Sequence, residues 1–138
     1  MSVHYRLLRC NIKSSKNYGK YYARATMLQE VDMQTLARRI QARCSLTEAD
    51  ATAAIIALEH EVRQALHDGC KVNLGELGSF SLGIKSDMVD RPADFNTQRH
   101  IHGFTCHYTP SGHRSRIEDR TLVRPFTEGC KAEPMDEE

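Results

Sequence analysis

The chain has 138 residues, 40% hydrophobic and 27% charged, with a formal net charge of +1. That length suits one compact domain with short extensions, and that charge is low for a protein whose partner is a polyanion. No apolar run reaches the roughly 18 residues of a membrane-spanning helix, and the Met-Ser-Val-His-Tyr-Arg start lacks the apolar stretch of a secretory signal, so the expected setting is cytoplasmic with no membrane partner.

Residues 3–12 and 21–27 are rich in strand-favouring side chains, and Ser14-Ser15-Lys16-Asn17-Tyr18-Gly19 between them supplies turn chemistry. They predict an N-terminal β-hairpin over an extension of residues 1–31. Asp32 is placed to cap a helix reaching Cys44, with Met33, Leu36, Ala37, Ile40 and Cys44 at helical spacing and Arg38, Arg39 and Arg43 directed elsewhere. A second helix is expected after Thr47, with Asp50 completing a capping box, and Asp68-Gly69 ends it after His67. Its apolar stripe is Ala51, Ile55, Leu58, Val62, Ala65 and Leu66. Two helices with small sheets give one chain a thin core, so a partner surface is expected.

Val72-Asn73-Leu74-Gly75-Glu76-Leu77-Gly78-Ser79-Phe80-Ser81-Leu82 then reads as strand, tight turn, strand. Val72, Leu74, Phe80 and Leu82 share the buried face, and Gly78 supplies a backbone conformation that a side chain resists. Residues 86–103 hold Asp87, Asp90, Arg91, Pro92, Asp94, Asn96 and Arg99 and predict a mobile arm or long loop. His102 to Thr109 is another strand, with Phe104, Cys106 and Tyr108 on one face. Residues 113–124 are expected as a short helix, against the β-branched Ile117, Thr121 and Val123. One cation against four carboxylates gives residues 131–138 a net charge of −3 and leaves +4 on the rest. The segment 125–138 is expected as a disordered acidic tail.

The 72–82 stretch, coming directly after two helices, resembles the hairpin of the bacterial histone-like HU and integration-host-factor family, roughly V-x-L-x-G-F-G-[ST]-F. Val72, Leu74, Gly78, Ser79 and Phe80 match; Leu77 stands in place of Phe, and Glu76 in place of the first glycine. Tyr108-Thr109-Pro110-Ser111-Gly112 is similar to that family's lead into its last helix, and the hairpin leader resembles a longer HU-related subgroup. The resemblance runs from Asp32 to about Ile117 and implies an α+β fold. That fold is an intertwined dimer with two N-terminal helices, a three-stranded antiparallel sheet with a β-arm and a short C-terminal helix. Here it would occupy residues 32–124 and carry the N-terminal hairpin as an extension.

What the resemblance implies for function is binding and bending of double-stranded DNA by a homodimer, with little base readout. The candidate DNA contacts are Lys85, Arg91 and Arg99 on or beside the arm, and Arg114, Arg116 and Arg120 beyond the third strand. Pro92 is the candidate wedge for unstacking a base step, with an ordinary turn proline as the competing reading. Asp87, Asp90 and Asp94 would repel phosphate, which keeps open an alternative: a diverged module of the same fold that contacts protein and binds DNA weakly or not at all.

No other chemistry assembles from the sequence. The five cysteines at 10, 44, 70, 106 and 130 form neither a C-x-x-C pair nor a disulfide framework. His100, His102 and Cys106 share strand parity, but residues four apart on a strand are separated by roughly 13 Å, so no metal is assigned. There is no nucleophile elbow, phosphate-cradling glycine loop or H-E-x-x-H helix, so neither an enzyme nor a cofactor is expected.

Overall fold

In a computed structural model, residues 2–114 and 122–135 are described. Two strands come first, β1 (Val3–Arg9) and β2 (Tyr21–Ala25), followed by helices α1 (Met33–Gln41) and α2 (Glu48–His67). Then come β3 (Val72–Asn73), β4 (Ser79–Ser86), the one-turn helix α3 (Thr97–His100), β5 (Ile101–Thr109), β6 (His113–Arg114), β7 (Leu122–Val123) and β8 (Ala132–Pro134). The result is a mixed α+β architecture with two three-stranded sheets, β2-β1-β8 and β3-β4-β5.

The caps start where the sequence places them. The Asp32 carboxylate accepts from the Thr35 backbone N–H at 2.8 Å. Thr35 holds that carboxyl below its ordinary value, so the cap is in place above the usual carboxylate range and is lost as pH falls through the lowered pKa. At α2 the Thr47 hydroxyl accepts from the Asp50 N–H, and the Asp50 carboxylate accepts from the Thr47 N–H, a reciprocal capping box. The end of α1 departs from expectation. It closes at Gln41, whose side chain accepts from the Glu48 N–H at 2.7 Å and ties the helix terminus to the start of α2. Arg38 reaches Glu48 at 3.4 Å across the same junction.

Two expectations are corrected. The ends of the supposed C-terminal helix are strand: His113 pairs with Val123 and Arg114 with Leu122. Val123 is β-branched and suits an extended backbone, which is the physical reason at that end; residues 115–121 lie outside the described set. The tail is also not wholly irregular. Ala132–Pro134 runs parallel to β1, with Val3 opposite Ala132 and Tyr5 opposite Pro134. The Val3 N–H donates to Lys131 O at 2.8 Å and the Met135 N–H to Tyr5 O at 3.0 Å. A proline is tolerated there because β8 is an edge strand.

Packing is thin. Among the described residues only Ala37, Ala51 and Leu66 form a buried apolar core. The chain exposes 12381 Å², whereas a compact monomer of its mass would expose about 7,300 Å².

The hairpin turn between β3 and β4 carries the tightest steric demand. Gly78 has φ +105°, and a Cβ there would lie 2.5 Å from Thr109 O and 2.7 Å from the Tyr108 ring. Gly78→Ala is therefore expected to destabilise the chain by about 2 kcal/mol. Urea unfolding measures this, and an unchanged midpoint would contradict it.

Candidate nucleic-acid interface

The sheet β3-β4-β5 is sorted by parity into two unlike faces. Phe80 lies opposite Tyr108, Leu82 opposite Cys106 and Ile84 opposite Phe104, so one face is apolar. Ser79 pairs with Thr109, Ser81 with His107, Gly83 with Thr105 and Lys85 with Gly103, so the other face is small and polar, with no carboxylate in these pairs. Successive strand side chains point to opposite sides, and the sequence alternates over the whole ribbon.

The apolar face meets α2 without being sealed by it. Phe80, Leu82 and Cys106 from the sheet and Leu74 just after β3, with Ile55, Leu58, Val62 and Leu66 from α2, surround an open cleft of about 550 Å³ that Glu59, Arg63 and His67 also line. Farther out, Ile84 and Phe104 are 61% and 67% exposed. One end of this face is fixed firmly: Phe80 and Tyr108 rings lie 5.2 Å apart, and the Tyr108 hydroxyl donates to Leu77 O at 2.8 Å.

On the polar face the His107 imidazole leans across its pair position to lie over Gly83. A Cβ at Gly83 would sit 2.5 Å from His107 Nε2. This glycine has no positive φ; its place is set by the ring above it. The floor of the ribbon is consequently shallow: hydroxyls, two glycines and one flat imidazole, with Lys85 toward the distal end.

The distal tip is built by local hydrogen bonds rather than being an irregular loop. The Asp87 N–H donates to His100 O at 2.8 Å, and the Asp87 carboxylate lies 2.8 Å from His102 Nε2. Asn96 caps α3 by accepting from the Gln98 and Arg99 N–H groups, and its own N–H donates to His100 Nδ1 at 2.8 Å. The Phe95 ring stands 5.4 Å from that imidazole. A register shift between Lys85 and Ser86 marks where the ribbon gives way to the tip.

The candidate DNA contacts are therefore dispersed. Lys85 lies on the polar face of β4. Arg91 is engaged by Asp94 at 3.2 Å, and Pro92 opens a single 3-10 turn, Pro92–Asp94, whose backbone bonds close on Arg91 O and Pro92 O. Arg99 is in α3 and Arg114 in β6. Arg116 and Arg120 lie outside the described residues. His100 belongs to α3 and not to the strand, so the parity it shared with His102 and Cys106 does not carry into the fold. Among the described residues no three His, Cys, Asp or Glu side chains gather to hold a metal ion.

Sequence reasoning missed Ser81, Gly83, Thr105 and His107 as one surface. The signal was present in Ser79-x-Ser81-x-Gly83-x-Lys85 and Thr105-x-His107-x-Thr109, which alternate against the apolar residues already assigned to the core.

An HU domain of the kind fused to winged helix-turn-helix, immunoglobulin or glycine-rich motifs, HU-HIG, matches residues 1–122. The chain belongs to the HU-HIG family. Because the match begins at residue 1, the N-terminal strands fall within the matched region. A solved structure described as a candidate bacterial DNA-binding protein from Bacteroides vulgatus is similar at a TM-score of 0.57 and 14% identity. The alignment covers 79% of this chain and 42% of that one, so this chain spans less than half the length of its structural neighbour. At that identity the likeness concerns the fold. No curated protein matches the chain. No helix among the described residues is long and apolar enough to cross a membrane.

Gly83→Ala tests the seating of the ring. The added methyl is expected to push the His107 imidazole off the sheet, moving its ring NMR signals while the unfolding midpoint changes by less than about 1 kcal/mol, since only a side-chain end must shift. Unmoved His107 signals would contradict the arrangement.

Proposed function

We propose that two copies of this chain close their open α2 and sheet faces on one another and present the polar faces of β4 and β5 as a continuous saddle for double-stranded DNA. The observation that carries this reading is the unlike character of the two faces of one sheet: an apolar face left open and a polar face free of acid. The family and the described activity of the structural neighbour agree with it. The chain exposes about 5,000 Å² more than a compact monomer of its mass, which leaves ample surface for a second copy to cover.

Binding then rests on phosphate charge and groove shape. Serine and threonine hydroxyls and the His107 imidazole lie against the sugar-phosphate backbone, Lys85 supplies charge at the distal end, and Arg99 in α3 adds a cation beyond it; Arg114, Arg116 and Arg120 are further proposed contacts, read from the sequence. Bending is modest, because Pro92 is built into a turn, which limits the tip as a wedge. As a binder of bulk DNA the protein would act in the nucleoid of the bacterial cytoplasm. The second reading, a diverged HU-fold module for protein contacts, is favoured by one feature: across residues 85–103 three cations are matched by three aspartates.

A random-sequence duplex titrated at several salt concentrations separates the two. Architectural binding is expected to weaken by about 0.9 log units per log unit of salt for each phosphate contact. The absence of a complex at low salt would leave the protein-contact module standing. His107→Ala should weaken duplex binding at constant salt and pH; an unaltered affinity would remove His107 from the interface.

A further inference from the structure

The N-terminal sheet has a charge pattern unlike the rest of the molecule. Residues 1–29 contain six lysines and arginines and no carboxylate, while the other 109 residues hold 13 basic against 18 acidic side chains. The positive charge is thus concentrated in the hairpin and not in the arm.

The register makes this charge pointed. Arg6 lies directly opposite Arg24, and Leu8 directly opposite Tyr22, so both arginines and the tyrosine share one face with His4. Like charges placed opposite each other on neighbouring strands destabilise a sheet. The ion pairs among the described residues are Arg38 with Glu48, Arg91 with Asp94 and His102 with Asp87, none of them in this sheet. Glu133, across from His4, is the one acidic residue in the described part of the sheet. Aromatic rings are interleaved with the cations: Tyr21 is 68% and Tyr22 50% exposed, and the Arg9 guanidinium stands 5.7 Å from the Tyr18 ring centroid.

A repulsive arginine pair is relieved by a shared anion, and an exposed tyrosine beside it offers a ring for a flat partner. A polyanion with planar groups spaced along it meets both demands. In a duplex the base faces are stacked on one another; in a single strand they are free to stack on protein rings. We propose that the β2-β1-β8 sheet is a second nucleic-acid site, one that takes single strands. Arg6 and Arg24 hold backbone phosphates, and a base stacks on Tyr22. This site is separate from the duplex saddle and does not depend on it.

The test uses the full chain, titrated by fluorescence anisotropy with a short oligothymidine and with a random duplex. Arg6→Thr together with Arg24→Thr removes the repulsion and keeps a strand-favouring side chain, so the unfolding midpoint should be no lower than that of the parent. This variant is expected to lose about tenfold in single-strand affinity, with the salt slope falling by about 1.4, or 0.7 for each contact removed. Tyr22→Leu should also cost about tenfold by removing the stack. Duplex affinity should stay within about twofold in both. The proposal is overturned if the parent chain does not bind oligothymidine at low salt, if the variants bind it as the parent does, or if single-strand and duplex affinities fall together.

Discussion

The antiparallel pairing of β4 with β5 is the constraint on which the rest of this molecule depends. It runs without interruption from Ser79 opposite Thr109 to Lys85 opposite Gly103 and fixes which side of the sheet every side chain occupies. A slip of one residue would turn Phe80, Leu82 and Ile84 outward and bury Ser81 and Lys85. The register is held at one end by the Gly78 turn, which brings the backbone against Thr109 and the Tyr108 ring. The Phe80 and Tyr108 contact and the hydroxyl of Tyr108 on Leu77 O hold that same end.

Once parity is fixed, the apolar face becomes the central problem of stability. Helix α2 lies beside it, but the cleft between them stays open, and few large side chains are removed from water. At about 25 cal/mol per Å² of apolar surface, even a fraction of the exposed excess would outweigh the marginal stability of a domain this size. On the proposed reading, a second copy packed against that face would supply the missing core and leave both polar faces uncovered. In this view dimerisation and the nucleic-acid surface are consequences of one alternation in sequence.

Local chemistry was legible from the residues alone. Asp32, Thr47 with Asp50, and the Asp68-Gly69 stop specify their helix boundaries because a cap needs only its neighbours within a turn or so. The hairpin from Val72 was legible for the same reason, and with its place after the helices it led to the correct family. Contacts distant in sequence were not legible. Ala132–Pro134 joins the far edge of β1 across nearly the whole chain, and a short polar segment gives no hint of a strand until its partner edge is known. The Gln41 bond to the Glu48 N–H depends on where Glu48 arrives. The polar face of β4 and β5 was overlooked because a search for cations passes over serine, threonine and glycine, and His107 gains meaning only from lying over Gly83.

Charge is distributed in a way the net value conceals. The arm is electrically balanced, and two of its aspartates are already engaged, by His102 and Arg91. The strongly basic segment is the N-terminal hairpin, at the opposite end of the sequence from the acidic residues Asp136 to Glu138. On the two proposals, contact on the saddle would depend on shape and contact on the hairpin on charge. The saddle requires the open face to be covered. Sedimentation equilibrium of the full chain at micromolar concentration is the most direct measurement: the account requires a particle of twice the 15.7 kDa chain mass, and a stable, folded species of 15.7 kDa would contradict it.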